Sequence, residues 1–238
     1  MFSHSAKYYD VIYAAKGKDY DQETQRLLSL IHQHKRSPGN TLLDVACGTG
    51  GHLLHLQQTF QTEGLDLDPE LLDLARQKAP TITYHQADMI NFALGRQFDV
   101  IVCLFSAIGY VKTLDRLHMT IETMHRHTAP GGLIIVEPWL KPNDYSADKV
   151  HATFVDKPNL KIARMNVGEI SDGNISVLNF HYLVATPEGV EHFTERHELG
   201  LFTHGEYLSA FERCGMETLY DEVGLEGRGL YIGINPFP

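Results

Sequence analysis

Apolar and aromatic positions recur at helical intervals over the first forty residues, at Tyr9, Ile12 and Tyr13 and again at Leu27, Leu28, Leu30 and Ile31. Gly17 and the cluster Ser37-Pro38-Gly39-Asn40 punctuate them. From there, short apolar runs alternate with longer periodic segments. Thr41–Ala46 predicts a strand, broken by Gly48–Gly51, with a helix over His52–Phe60. A second strand ends at Asp66, and Pro69 stands at the first position of a helix running through Lys78. Ile82–Gln86 predicts a third strand and Phe98–Phe105 a fourth, whose near-continuous apolar run suits a strand covered on both faces. A helix over Thr113–Thr128 is stopped by Ala129-Pro130-Gly131-Gly132, and Leu133–Pro138 forms a fifth strand. Strands alternating with helices predict right-handed crossovers and a doubly wound, mostly parallel sheet.

After Trp139 the helical spacers vanish. Segments near 160–171, 174–186 and 190–201 are strand-like, joined by Asp172-Gly173-Asn174 and Pro187-Glu188-Gly189. They predict an antiparallel meander inserted into the parallel fold. A helix over His204–Cys214 and strands near Met216–Glu222 and Leu230–Ile234 complete the chain. The segmentation is 1–40 helical, 41–145 parallel core, 146–201 insertion and 202–238 returning to the core sheet.

The chemistry concentrates in Leu42–Gly50, LLDVACGTG. A strand carrying Asp44 and ending at Ala46 meets a Gly48-x-Gly50 turn that leads into a helix, so backbone N–H groups can approach a ligand closely. Leu53 stands where a dinucleotide fingerprint needs its third glycine, and no Walker lysine follows, so a pyrophosphate is not the expected ligand. Asp66 closes the second strand, where a carboxylate can accept from both ribose hydroxyls. Asp88 follows the third strand, placed for an adenine amino group, with Met89 to pack on the ring. An adenosine bearing an amino-acid tail instead of a diphosphate fits these groups, which points to S-adenosylmethionine (SAM).

Composition agrees with a soluble enzyme of small molecules. The 238 residues make one large domain or one and a half at about 150 residues each. Lys+Arg 20 against Asp+Glu 30 leaves a net charge of −10, opposite to the basic excess of a nucleic-acid binder. Three cysteines suit a reducing cytoplasm, and neither an apolar leader core nor a membrane-length apolar run is present. His52 with His55 and His125 with His127 lack a third ligand nearby in sequence, so no metal is expected.

LLDVACGTG, GLDLD, Asp88 and the Pro-Gly-Gly-plus-strand element resemble the motif series of class I SAM-dependent methyltransferases. That resemblance implies a seven-stranded sheet with the last strand antiparallel. The Asn/Asp-Pro-Pro-aromatic clamp of DNA amino-methyltransferases is absent, since the residues after strand four are Leu104-Phe105-Ser106-Ala107-Ile108-Gly109-Tyr110. YYDVIYAAKGKDY, FSAIGY, VEPW and GRGLYIGI further resemble bacterial N-methyltransferases of dTDP-3-amino-sugars. The family pattern has a second aromatic after Trp139, where this chain has Leu140.

The narrower resemblance implies a homodimer and an N-terminal helical lid over the cofactor; Tyr9 and Tyr20, with Lys18, are candidates for closing over the methionine carboxylate, with ordinary amphipathic helix packing as the rival role. Cofactor contacts are expected at Tyr9, Tyr20, Asp44, Ala46, Gly48, Gly50, Asp66, Leu67, Asp88, Met89 and Leu104. Phe105, Ser106, Trp139, Tyr145, His181, Arg228 and Tyr231 are the expected substrate contacts, Arg228 being suited to a phosphate. Trp139 could equally plug the insertion. Tyr13 and His127 are candidates for orienting the amine or relaying its proton; for His127 the rival role is a helix C-terminal histidine favoured by the dipole. Other functions consistent with the cofactor site are methylation of oxygen, carbon or another amine of a different metabolite, and a SAM-binding regulator without turnover.

Overall fold

The computed structural model describes residues 4–171 and 174–238. A 3-10 turn at Ala6–Tyr8 leads into α1 (Tyr9–Ala15), and α2 (Tyr20–His34) follows, capped by Asp19, whose side chain accepts from Gln22 N–H. The alternating part comprises β1 (Thr41–Val45), α3 (Leu53–Leu56), β2 (Gln61–Asp66), α4 (Pro69–Lys78), β3 (Thr83–Gln86), β4 (Phe98–Cys103), α5 (Leu114–Arg126) and β5 (Thr128–Val136). Asp68 caps α4 ahead of Pro69, the position where a missing N–H costs nothing. Four long strands come next: β6 (Val150–Lys157), β7 (Leu160–Ser171), β8 (Ile175–Thr186) and β9 (Gly189–Gly200). Then α6 (His204–Glu212), held by a Thr203/Glu206 capping box, precedes β10 (Glu217–Asp221) and β11 (Leu230–Ile234).

Seven strands form one sheet in the order β10-β11-β5-β4-β1-β2-β3. All neighbours run parallel except β11, which is antiparallel to both β5 and β10. The expected mostly parallel sheet with an antiparallel final strand is therefore present. β4 is buried at every position, including Asp99, the one polar residue in its apolar run, whose carboxylate accepts from Gly39 and Thr41 N–H. Leu43, Ile101 and Ile134 pack toward α5 and α6 on one face; Leu42, Val100 and Leu133 pack toward α2 on the other.

The second sheet is the antiparallel meander β6-β7-β8-β9. Its inner face carries Val155, Ile162, Tyr182 and Val184, which close on Tyr8 and Ile12 of the N-terminal helices. Its last hairpin turns at Pro187-Glu188, with Thr186 opposite Gly189. Of the expected Asp172-Gly173-Asn174 turn, Asp172 and Gly173 lie outside the described residues, and Asn174 adopts φ 63°.

Two expectations are corrected here. Instead of a continuous helix over His52–Phe60, the α-helix covers only Leu53–Leu56; His55, Gln58 and Thr59 donate to carbonyls three residues back, interleaved with four-residue bonds such as Phe60 N–H to the Leu56 carbonyl, so the segment winds irregularly. β6 was not anticipated, because it is an edge strand with only Val155 buried and so lacks apolar alternation.

Candidate active site

The C-terminal ends of β1, β2, β4 and β5 collect on one edge, where ligands bind in open α/β sheets. After β1 the backbone turns left-handed at Ala46 (φ 60°), Gly48 (φ 56°) and Gly50 (φ 73°). Gly48 N–H donates to Asp66 Oδ2 at 2.8 Å and Asp68 N–H to Asp66 Oδ1 at 2.9 Å. A carboxylate has about four acceptor sites, so the group that fastens the loop can still accept from a ligand hydroxyl. Burial raises the Asp66 carboxyl against these N–H bonds, and burial together with Asp66 raises Asp44 well above the usual range. At Gly51 a Cβ would lie 2.5 Å from the Tyr20 ring, so glycine is what lets that ring rest on the loop.

A cleft opens beside this loop, lined by Tyr9, Tyr20, Asp44, Ala46, Gly48, Thr49, Leu104 and Phe105 among others. Six expected cofactor residues and Phe105 thus come together. α1 is tied to the loop through Asp10, which accepts from Thr49 Oγ1 at 2.7 Å and pairs with Lys78. Tyr13 packs on Tyr9 (4.6 Å between centroids) and edge-on to Phe105 (4.8 Å). Phe105 adopts φ 54° and Ser106 φ 60°, turning the chain sharply at the end of β4. Asp88 accepts from Ile90 N–H at 3.0 Å, Met89 packs against the core, and Leu67 is 45% exposed beyond β2.

A buried charge network closes the far side. Lys18 Nζ lies 3.7 Å over the Phe105 ring and pairs with Glu23 (2.8 Å) and Glu226 (2.9 Å). Glu23 also faces His52 Nε2 at 2.8 Å, and burial lowers the basicity of that imidazole. Arg228 Nη2 pairs with Glu226 (2.7 Å) and Glu137 (3.0 Å). Glu137, with no exposed surface, accepts from Phe105 N–H at 2.6 Å; burial raises its carboxyl, against the pull of Arg228 and Lys18. A second cleft begins beyond Arg228, lined by Trp139, Lys141, Asp144, Tyr220 and Glu222. Glu137, Glu23 and Glu226 escaped the sequence reading. Glu137 left one signal, a carboxylate directly after the apolar run of β5.

The structure places other expected residues elsewhere. His127 precedes β5 at the opposite edge of the sheet. It accepts from Leu94 N–H at Nε2 (3.1 Å) and bonds the Thr123 carbonyl through Nδ1 (2.8 Å), so it ties a loop to α5 and is no amine-relay candidate. His181 lies on the exposed outer face of β8, stacked on His192 at 5.6 Å, because its neighbour Tyr182 takes the inner position. Tyr145 packs its hydroxyl against Gly168 of β7, away from both clefts. Tyr231 is fully buried, bonded to His204 at 2.9 Å and stacked on Tyr207. Ser106 donates to the Pro138 carbonyl at 2.7 Å and is a loop tie. Trp139 serves both roles considered: it lines the second cleft and donates through Nε1 to Ser176 of β8 at 2.8 Å.

Comparison with known proteins agrees with this geometry. Residues 42–132 match a family described as a methyltransferase domain. The chain is 39% identical over 96% of its length to a dTDP-3-amino-3,4,6-trideoxy-alpha-D-glucopyranose N,N-dimethyltransferase of Streptomyces venezuelae, covering 97% of that protein. It is 37% identical over 96% of its length to a dTDP-3-amino-3,6-dideoxy-alpha-D-glucopyranose N,N-dimethyltransferase of Streptomyces fradiae, covering 90% of that protein. Among solved structures, Streptomyces venezuelae DesVI superposes with TM-score 0.89 at 39% identity, over 96% of each chain. SAM-bound CalS10, an amino pentose methyltransferase from Micromonospora echinaspora, superposes with TM-score 0.86 at 33% identity, over 95% of this chain and 96% of that one.

Proposed function

The chain belongs to the SAM-dependent N-methyltransferases of dTDP-linked amino sugars, and on that premise we propose that it methylates the amine of a dTDP-linked amino-deoxysugar twice. The observation that carries this reading is the pair of clefts joined at Glu137: one beside the glycine loop, the other beside Arg228.

Bound SAM supplies an electrophilic methyl on its sulfonium. The glycine loop, Asp66, Asp44 and Asp88 are the groups that would hold it, with Tyr9, Tyr20, Leu104 and Phe105 excluding water. Gly51 and Tyr20 already fit closely enough that a Cβ would not be accommodated, as expected of a site built for close approach. Arg228 would take part of the diphosphate charge in exchange for Glu226, and Lys141, which has no carboxylate partner among the described residues, would take the rest. Tyr13 would orient the amine, its ring held by Tyr9 and Phe105.

Orientation dominates the energetics. Holding two reactants in line contributes about 7–11 kcal/mol, against about 3–5 kcal/mol for a general base worth 10²–10⁴-fold. An amine with a lysine-like pKa near 10 costs about 4 kcal/mol to free of its proton at neutral pH.

The segment through residue 40 serves as a lid, since Tyr9, Tyr20 and Lys18 all come from it. Partner copies meet through the outer face of the second sheet, where Val150, Phe154, Met165, Val167, Leu183 and Val190 stay exposed in adjacent rows. In a sheet with one face to water, residues alternate along each strand between an apolar inner and a polar outer face, so this run of apolar residues on the outer face marks it for a partner. No helix among the described residues is long and apolar enough to cross a membrane. Free thiols at Cys47, Cys103 and Cys214 suit a reducing cytoplasm.

Release of S-adenosylhomocysteine with a panel of acceptors tests the function. Turnover is expected with the dTDP-linked amino sugar, and not with the free sugar or the analogue carrying hydroxyl in place of the amine. Equal turnover of the hydroxyl analogue would contradict it.

A further inference from the structure

We infer that Glu226 couples the two clefts: a diphosphate bound at Arg228 takes that cation from Glu226, leaves Glu226 to Lys18 alone, and so tightens the lid over the cofactor. The inference rests on the dTDP-linked substrate proposed above and adds how its binding governs the cofactor site.

Five residues form a closed circuit of contacts between the clefts. Phe105 lines the cofactor cleft, and its N–H donates to Glu137 at 2.6 Å. Glu137 accepts from Arg228 Nη2 at 3.0 Å, and Arg228 lines the second cleft. The same Nη2 donates to Glu226 at 2.7 Å. Lys18 Nζ donates to Glu226 at 2.9 Å and returns to the start, 3.7 Å from the centre of the Phe105 ring. Lys18 also stands 5.4 Å from the ring centre of Tyr20, another aromatic wall of the cofactor cleft. Glu226 is the carboxylate that both cations share. Glu23 pairs with Lys18 and not with Arg228, and Glu137 pairs with Arg228 and not with Lys18.

Two features of Arg228 and Glu226 suit them to an exchange of partners. Arg228 Nε is buried and has no hydrogen-bond partner among the described residues. Nε and Nη2 share one edge of the guanidinium, an edge that a phosphate can take with two parallel bonds. Glu226 uses Nη2 alone, so a phosphate on the whole edge makes two bonds where Glu226 made one. Glu226 is also the carboxylate best able to leave. Its side chain is 28% exposed on the turn joining β10 to β11, whereas Glu137 has no exposed surface.

Charge gives the coupling its sign. Lys18 and Arg228 face Glu23, Glu137 and Glu226, and burial lowers the basicity of His52, so the circuit holds no spare cation. Burial pushes the Glu226 carboxyl up, but Lys18 and then Arg228 outweigh it and hold it below the usual range, so it is ionised. A diphosphate at Arg228 removes one of its two cations. The remaining partner, Lys18, is buried, where water and salt screen little. The carboxylate then draws Lys18 more strongly and fixes the lid against Phe105 and Tyr20. Linkage makes the effect reciprocal: a cofactor that orders the lid holds Glu226 on Lys18 and frees the Arg228 edge. Lys18 and Glu226 act through Phe105, Tyr20 and Arg228, and are positioning residues.

Calorimetry measures the affinity of the full chain for S-adenosylhomocysteine, alone and at saturating dTDP, and for dTDP, alone and at saturating S-adenosylhomocysteine. Wild type and Glu226→Gln are compared, with thermal melting of each. In wild type, dTDP is expected to tighten S-adenosylhomocysteine binding about tenfold, and the reverse titration to return the same factor. Thymidine, which lacks the diphosphate, should leave that affinity unchanged. Glu226→Gln keeps the shape of the side chain without its charge and should lose the coupling. The coupling alone is overturned if dTDP binds wild type without changing S-adenosylhomocysteine affinity. It is overturned equally if thymidine tightens binding as much as dTDP, or if Glu226→Gln keeps the full factor. Failure of dTDP to bind wild type would overturn the nucleotide-linked substrate as well.

Discussion

Glu137 accepts the Phe105 backbone N–H at 2.6 Å while its other oxygen holds Arg228 at 3.0 Å, so one fully buried carboxylate braces the walls of both clefts. Glu137→Ala would leave the buried Phe105 N–H unpaired and Arg228 held by Glu226 alone, at an expected cost of about 1–3 kcal/mol. Glu137→Gln keeps an acceptor for Phe105 and should cost less. Urea unfolding measures both; equal stability of Glu137→Ala and wild type would contradict the assignment.

Gly51 and Gly48 should respond differently to alanine. At Gly51 the new Cβ meets the Tyr20 ring at 2.5 Å and displaces it from the cleft. Affinity for S-adenosylhomocysteine should fall about tenfold or more, equivalent to about 1.4 kcal/mol. At Gly48 the space is open but φ is +56°, so the cost is backbone strain of about 1–2 kcal/mol in stability. Calorimetry and melting together separate the two effects.

Glu195 makes part of the fold acid-sensitive. Its donors, His197 and the Ser5 and His4 groups, lower its pKa from 4.5 to about 2 despite burial, which acts first and in the opposite sense. A depressed carboxylate stabilises fully above its unfolded pKa, and that contribution fades as pH falls from 4.5 toward 2. Glu195→Gln should therefore be less stable than wild type at neutral pH, with the gap narrowing below about pH 4. Denaturation at a series of pH values checks this; a gap that widens on acidification would reverse the sign.

The outer face of the second sheet gives a test of assembly. Phe154 and Leu183 flank Ala163 in one cross-strand row, with 63% and 51% of their surfaces exposed. Phe154→Glu with Leu183→Glu should convert a dimer to a monomer by light scattering while leaving the melting temperature nearly unchanged. A wild type that is already monomeric at the same concentration would refute this interface.

Most of the fold was legible because its signals are local. Asp44, Gly48, Gly50 and Asp66 sit at strand ends that the apolar runs define, and Asp44 and Gly48 line the cleft that opens there. The charge network was not legible, since Lys18 and Glu226 are distant in sequence and only the sheet order brings their loops together. His127 illustrates an avoidable error: a residue just before a strand lies at the opposite edge from one just after it. His181 was misplaced for a related reason. With a period of two, the buried Tyr182 and Val184 assign it to the outer face.

SAM carrying a deuterated methyl group, incubated with the enzyme and a dTDP-linked amino sugar, would report the site of transfer by NMR of the purified product. Label on the exocyclic nitrogen, in two methyl groups at completion, is the predicted result. Label on a sugar oxygen or carbon, or an unlabelled sugar despite tight binding of S-adenosylhomocysteine, would contradict it.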